Sequence, residues 1–289
     1  EEGMEWLPKE EVLSFEEIAR VVRVLAPLGI RKLRLTGGEP LLRKGLPELI
    51  SLLNRIEGID DIALTTNALL LAGQAEALKR SGLRRVNVSL DSLLKERFEQ
   101  ITRRDALGRV LEGIEQAAKT FAGPLKINAV LLRGLNDAEA PAFAELARRD
   151  GHTVRFIEYM PLDADETWSR SSLVTGTEIR ERIDEHLGAG ARLIEDPSRD
   201  ERAPSSDYVF SDGAPGKIGF INSVSEPFCE HCNRIRITAE GKLRTCLFSQ
   251  DETDLAALLR GGAKDEEIAA AVRAAVHDKE PGHRINEPD

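Results

Sequence analysis

Cysteine is scarce in this chain, with three in 289 residues, and aromatic residues make up only 4%. No apolar run approaches the ~20 residues that span a bilayer, so no segment reads as a membrane-spanning helix. An excess of positive charge is missing too: 40 Lys and Arg stand against 50 Asp and Glu, a formal net charge of −10. That balance argues against a general nucleic-acid or acidic-membrane surface. It leaves room for a small anionic ligand, because exposed charges are screened beyond about 8–10 Å at ordinary salt. A local cluster of arginines therefore outweighs a distant acidic surface. The opening residues, Glu1-Glu2-Gly3-Met4-Glu5-Trp6, lack the basic start and apolar core of a signal peptide. A cytoplasmic protein is the expectation.

What cysteine there is sits in one place. Cys229, Cys232 and Cys246 occupy a single short stretch. C-x2-C spacing lets two sulfurs face one metal centre, and the third returns soon after. Three thiolates are one short of the four that close a structural zinc or iron–sulfur site, which leaves a free corner for a substrate. One disulfide plus a spare thiol is the alternative, but an odd, clustered count fits a reducing compartment and a metal better. His231 lies between two of them and reads as a spacer.

The first two thirds of the chain alternate helical and extended patterns. Ser14 and Glu17 form a capping-box pair that opens an apolar-striped helix running to Gly29. Strands are expected at 32–36, 62–66, 85–90, 125–131 and 154–159, and helices at 47–56, 70–80, 106–120 and 138–149. Strands separated by single helices are the signature of a parallel sheet built from βαβ units. After Pro161 the rhythm changes: a helix over 177–187, a Pro/Ser/Asp/Gly-rich stretch over 195–216, short extended segments round the cysteines, and two helices near 253–260 and 265–276.

Side chains on a strand alternate between two faces. Leu33 and Leu35 oppose Arg34 and Thr36, Ile62 and Leu64 oppose Thr65 and Asn67, and Val86 and Val88 oppose Asn87 and Ser89. Ile127 and Ala129 oppose Lys126 and Asn128, and Val154 and Phe156 oppose Thr153 and Arg155. One face is apolar, and the other is repeatedly polar or cationic. An open doubly wound sheet buries both faces under helices and prefers both apolar. Complete barrels fill their interior with branched apolar side chains. An incomplete barrel holding a polar ligand accounts for the pattern, with mutual pairing of the polar residues as the alternative. Gly37-Gly38-Glu39-Pro40 follows the first strand directly, where two glycines permit close approach of a ligand and Glu39 offers an acceptor to an amine.

Taken together, these residues resemble the radical S-adenosylmethionine superfamily, and within it the GTP 3′,8-cyclase family of molybdenum-cofactor biosynthesis. The resemblance is carried by Arg34-Leu35-Thr36-Gly37-Gly38-Glu39-Pro40, Thr65-Thr66-Asn67, Val88-Ser89-Leu90-Asp91-Ser92 and Glu158-Tyr159-Met160-Pro161. It continues through Phe228 to Arg236, Gly241 to Leu247, and Gly282-His283-Arg284-Ile285-Asn286. It implies an α/β fold: an incomplete (β/α) TIM-like barrel over residues 1–160, and a small α+β region over 161–289 carrying an iron–sulfur cluster. By the same resemblance Gly38, Ser89 and Met160 contact S-adenosylmethionine. Arg34, Thr65, Lys126, Arg155, Arg234, Ile235 and Arg236 surround GTP, with Arg236 as a possible support to catalysis. Cys229, Cys232 and Cys246 hold a [4Fe–4S] cluster whose open iron takes the guanine.

The resemblance further implies reductive cleavage of S-adenosylmethionine to a 5′-deoxyadenosyl radical. Hydrogen abstraction from C3′ of the GTP ribose and attack on C8 then give 3′,8-cyclo-7,8-dihydro-GTP. An electron donor feeds the reaction, and a cyclic pyranopterin monophosphate synthase consumes its product; a homodimer is left open. The family uses a second [4Fe–4S] cluster on an N-terminal C-x3-C-x2-C motif. No such motif occurs here, so the expectation is an incomplete, inactive form of a longer protein. The rival readings are another radical enzyme with an auxiliary cluster, a zinc-containing nucleotide-binding scaffold, and a phosphate-binding barrel isomerase.

Overall fold

A computed structural model describes residues 7–162, 168–198 and 203–282. The expected segments Glu1–Trp6 and His283–Asn286 lie outside the described residues. The capping box is present: Ser14 Oγ accepts from Glu17 N at 3.1 Å while Glu17 Oε2 accepts from Ser14 N at 2.7 Å, opening α1 (Phe15–Leu25). From there the chain runs β1 (Lys32–Leu35), α2 (Leu46–Asn54), β2 (Asp61–Thr66), α3 (Leu71–Arg80) and β3 (Arg85–Ser89). Next come α4 (Lys95–Thr102), α5 (Leu107–Phe121), β4 (Lys126–Val130), α6 (Ala140–Asp150) and β5 (Thr153–Ile157). α1 ends at Leu25 and a 3₁₀ turn over Ala26–Leu28 carries the chain to the expected end at Gly29; each other boundary falls within two residues of the expected one, and α4 is an additional helix. Its sequence carries one buried apolar residue, Phe98, too few to show a stripe.

Beyond Pro161 the chain forms α7 (Gly176–Leu187), β6 (Leu193–Glu195), β7 (Ser206–Phe210) and β8 (Lys217–Ile221). Among the described residues, eight strands make one sheet in the order β1-β2-β3-β4-β5-β8-β7-β6. The pairs from β1 through β5 to β8 are parallel, and β7 and β6 are added antiparallel. This is an α/β fold with a mostly parallel sheet. β7 lies inside the Pro/Ser/Asp/Gly-rich stretch over 195–216, where the sequence pattern shows no strand, and β6 ends at its first residue; strands paired antiparallel need no long apolar run.

The face parity is as expected. Ile62, Leu64, Val86, Val88, Ile127, Ala129, Val154 and Phe156 are buried in the main core, packed with Ile50, Leu53, Leu71, Leu78 and Phe143 from the helices. Phe156 stacks near Phe220 at 6.0 Å and meets Phe143 edge-on at 6.0 Å. On the opposite parity stand Arg34, Thr65, Asn87, Lys126 and Arg155.

The remaining elements are β9 (Arg236–Ile237), β10 (Lys242–Arg244), β11 (Thr253–Asp254), α8 (Leu255–Arg260) and α9 (Asp265–His277). They form a second core built on α1. Val21, Val24 and Leu25 pack with Leu13, Leu243, Leu255, Leu259, Ile268 and Val272, while Ala19 and Val22 of the same helix face the main core. Polar ties reinforce the joint: Arg20 Nε to Asp265 Oδ1 at 2.9 Å, Arg260 Nε to Glu17 Oε1 at 2.9 Å, and Leu13 N to Ala239 O at 2.8 Å. Among the described residues, no helix is long and apolar enough to cross a membrane.

Candidate active site

The polar face of the sheet gathers cations. Arg34 on β1, Lys126 on β4 and Arg155 on β5 stand on this face, and their charges act on one another. Desolvation lowers the Arg34 pKa first, and repulsion from Arg85, Arg155 and Arg234 lowers it further against a weaker pull from Asp61. Arg34 is exposed by its accessible surface yet feels this desolvation. A side chain lining an open, protein-walled cavity satisfies both observations. Lys126 is pushed from 10.5 down to about 8, by desolvation first and then by Arg155 and Arg85, with Asp207 opposing. An amine stripped of water beside several guanidiniums gives up its proton readily. The face therefore stores repulsion that a polyanion would relieve.

Two members were not anticipated. Arg85 donates from Nε to Asp61 Oδ1 at 3.1 Å and sits close enough to burden both Arg34 and Lys126. Asp207 on β7 pairs with Arg155, Nη2 to Oδ2 at 3.1 Å. Arg85 shares strand parity with Asn87, so alternation pointed to it. Asp207 lies in the Pro/Ser/Asp/Gly-rich stretch and gave no such signal. Thr65 Oγ1 accepts from Asn87 Nδ2 at 3.3 Å. Ile235 packs against the second core, so its side chain serves the fold.

Gly37, Gly38 and Glu39 leave the end of β1. Gly37 takes φ +151°, a backbone conformation that L side chains rarely adopt, and a Cβ added at Gly38 would meet nothing within 4 Å. Glu39 is already committed: Oε1 accepts from Thr66 Oγ1 at 2.7 Å and Leu41 N at 2.9 Å, and Oε2 accepts from Asn67 N at 2.8 Å. Its carboxylate ties the loop after β1 to the loop after β2. Ser89 is exposed at the end of β3, level with Asn128, and Met160 is half-buried just beyond β5. Both share the carboxyl-terminal edge of the sheet with the glycine turn.

The cysteines are joined to the same edge through Glu158. This carboxylate, 3% exposed, accepts from Val224 N and Ser225 N at 2.8 Å each and from Ser225 Oγ at 2.5 Å. It anchors the loop that leads to Cys229. A single 3₁₀ turn over Cys229–His231 brings Cys232 N to Cys229 O at 3.0 Å. The β9–β10 hairpin, with Arg236 opposite Arg244, folds the chain back, and Cys246 as well as Cys232 acts on Arg236. All three thiols are free and half-buried. Burial raises the Cys232 thiol, but hydrogen bonds and charge from Arg234, with Lys279, outweigh it and leave the pKa lowered. Thiolate character of this kind suits a metal ligand. Among the described residues, no three His, Cys, Asp or Glu are gathered tightly enough to hold a metal ion. His231 is exposed.

Arg234 joins the two groups. It acts on Arg34 across the polar face, on Cys232, and on Arg236, whose own pKa is lowered by burial and then by Arg234 while Cys232 and Cys246 oppose. Its guanidinium lies 4.9 Å over the Phe228 ring. Arg236 is thus a neighbour of Arg234 and of the cysteines Cys232 and Cys246. A broad groove between the ends of α1 and α2, lined by Arg23, Leu52 and Arg55, takes in none of these residues.

A mostly parallel sheet with a glycine turn after β1 and a cationic inner face defines a class. Residues 3–147 match the Radical SAM superfamily, and residues 152–285 match Molybdenum Cofactor Synthesis C. Among solved structures, Streptococcus suis SuiB is similar in fold, with a TM-score of 0.58 at 13% identity over 84% of this chain and 57% of that one. The chain is thus a radical SAM protein. It is 45% identical over 296 residues to the GTP 3′,8-cyclase of Paenarthrobacter nicotinovorans, covering 99% of this chain and 82% of that protein. It is 46% identical over 289 residues to that of Pelotomaculum thermopropionicum, covering 99% and 87%. The chain belongs to the GTP 3′,8-cyclase family.

Proposed function

We propose that these residues form the GTP site of an enzyme that converts GTP to 3′,8-cyclo-7,8-dihydro-GTP, the first step of molybdenum-cofactor biosynthesis, at the carboxyl-terminal edge of a sheet curled into a partial barrel. One observation carries the reading: Arg34, Lys126 and Arg155, from three parallel strands, and Arg234, from the loop before β9, act on one another's charge across the polar face. Each close cation–phosphate pair contributes roughly 4 kcal/mol of attraction at an effective dielectric near 20. Guanidiniums add bidentate geometry for phosphate oxygens.

The division of labour follows the residues. In residues 1–160, Gly38 leaves open backbone, and Ser89 and Met160 at the same edge of the sheet would join it in seating S-adenosylmethionine. In residues 161–289, Cys229, Cys232 and Cys246 provide thiolates for three irons of a [4Fe–4S] cluster. Such a cluster takes its cysteines at separate corners and so suits a looser set of thiols than one tetrahedral zinc would. Arg234 and Arg236 link the cation face to the cysteines, so a nucleotide whose phosphates met Lys126 and Arg155 would turn its base toward the residues that would hold the cluster. S-Adenosylmethionine and the iron–sulfur centres supply the radical chemistry when bound. The protein's own residues hold the nucleotide in one pose and keep water from it. The 289 residues hold no cysteine beyond these three, and so provide no ligands for the cluster that opens S-adenosylmethionine. An electron donor and a cyclic pyranopterin monophosphate synthase are the partners this chemistry calls for, in the reducing cytoplasm.

Arg34→Ala in the iron-reconstituted protein is the direct test. GTP affinity measured by calorimetry should fall at least tenfold, the loss of one charge-assisted phosphate contact, while S-adenosylmethionine affinity stays within about twofold. Equal loss of both ligands would defeat the assignment of the cations to GTP.

A further inference from the structure

We infer that Asp207 is a positioning residue for the anion site, holding the Arg155 guanidinium in place for a polyphosphate across the gap left by Gly219. The inference rests on the reading of the polar face as a triphosphate site. Arg155 lies level with Gly219 of β8, and Gly219 lies level with Asp207 of β7. Arg155 and Asp207 are therefore two strands apart, roughly 9.6 Å between backbones at the usual strand spacing. Only a long side chain crossing over an unobstructed residue can close that distance.

Gly219 is the unobstructed residue. A Cβ there would stand 2.6 Å from Asp207 Oδ1, 3.1 Å from Arg155 Cγ, and closer still to Ser205 Oγ. The glycine is a channel for the ion pair. Ser205, 3% exposed, donates from Oγ to Asp207 Oδ1 at 2.5 Å, which turns the carboxylate's other oxygen to Arg155 at 3.1 Å. Arg155 is 8% exposed, so the pair is held away from bulk water. Among the described residues the buried Arg155 Nε has no hydrogen-bond partner. A buried donor left unpaired is a cost that an incoming acceptor removes.

An acid beside a polyanion site looks counterproductive, and that is what makes its role testable. Asp207 repels phosphate directly, so as a bare charge it would weaken GTP binding. As a positioning residue it strengthens GTP binding by keeping Arg155 from folding away from its like-charged neighbours Arg34 and Lys126. The two roles predict opposite signs.

The experiment uses the iron-reconstituted protein in four forms: wild type, Asp207→Asn, Arg155→Ala, and the two combined. Affinity for GTP is measured by calorimetry at pH 7, and each fold is checked by thermal melting. Asp207→Asn should weaken GTP about tenfold, as expected when one charge-assisted hydrogen bond no longer fixes the guanidinium. Added to Arg155→Ala it should cause no further loss, because Asp207 acts through Arg155. Asp207→Glu, which keeps the charge, should recover part of the affinity. If Asp207→Asn fails to fold, Ser205→Ala takes its place, with a loss of about threefold expected from one neutral hydrogen bond. Tighter GTP binding by Asp207→Asn would overturn the proposal, as would an equal loss in the Arg155→Ala background. Unchanged GTP binding by Arg155→Ala would instead overturn the triphosphate reading of the face itself, and the role of Asp207 with it.

Discussion

Lys126 is the residue where the chemistry of the site can be read with a pH meter. Desolvation and the charges of Arg155, Arg85 and Arg34 hold its pKa at about 8, with Asp207 as the opposing anion. Bound phosphate favours the ammonium, so the pKa rises when GTP enters. Below pH 8 the lysine is protonated with or without ligand, and affinity is flat. Above pH 8 binding has to bring a proton with it, so affinity falls by up to tenfold per pH unit. Calorimetry from pH 7 to 9.5 in two buffers of different ionisation heat should show this fall together with proton uptake. Lys126→Met should bind more weakly at pH 7 and lose both the slope and the uptake. Arg34, Lys126 and Arg155 were legible because strand alternation exposes a charge that should have been apolar. Asp207 was not, because its neighbours Ser205, Ser206 and Asp212 look like a polar loop whichever way the chain runs. Glu39 was legible as important, but its three internal donors show that it fixes two loops together.

At the scale of elements, α1 does two jobs. A single-sided amphipathic helix carries one stripe, yet α1 buries neighbouring residues 21 and 22 and again 24 and 25. Neighbours on a helix point about 100° apart, so two surfaces are covered at once. One is the main core and the other is the core under α8 and α9. A stripe widened by valines reads in sequence only as a well-buried helix, and what lies on its second side is set by residues more than 200 positions away. Leu255, fully buried at the start of α8, tests the joint. Leu255→Ala should cost about 2–5 kcal/mol, the range for emptying a packed leucine site, measured as a shift in the urea midpoint. Leu243 of β10 lies in the same core, three residues before Cys246. Leu255→Ala should therefore also speed iron loss from the reconstituted protein, and an unchanged rate would mean that the hairpin holds its cysteine without help from α1.

On the scale of the whole molecule, an acidic surface encloses a cationic interior. The sequence reveals the parallel sheet because βαβ alternation is local, and the antiparallel edge stays hidden because β6 and β7 are short and mixed in composition. What local pattern cannot say is that Glu158, at the end of the parallel sheet, anchors the loop bearing the cysteines, since the two are 66 and 67 positions apart along the chain. That link makes a prediction about metal. The reconstituted chain should hold about four irons and four sulfides, as one [4Fe–4S] cluster on three thiolates requires, with zinc absent. GTP should change the paramagnetic resonance spectrum of the reduced cluster, because Arg234 acts both on Arg34 of the cation face and on Cys232. Glu158→Gln keeps the size of the side chain and removes its charge. It should leave the iron count intact, because the three thiols are untouched, yet blunt the GTP-dependent spectral change, because the loop is no longer fixed to the sheet. Loss of iron in Glu158→Gln would show that the anchor holds the cluster itself and does not merely align it with the nucleotide.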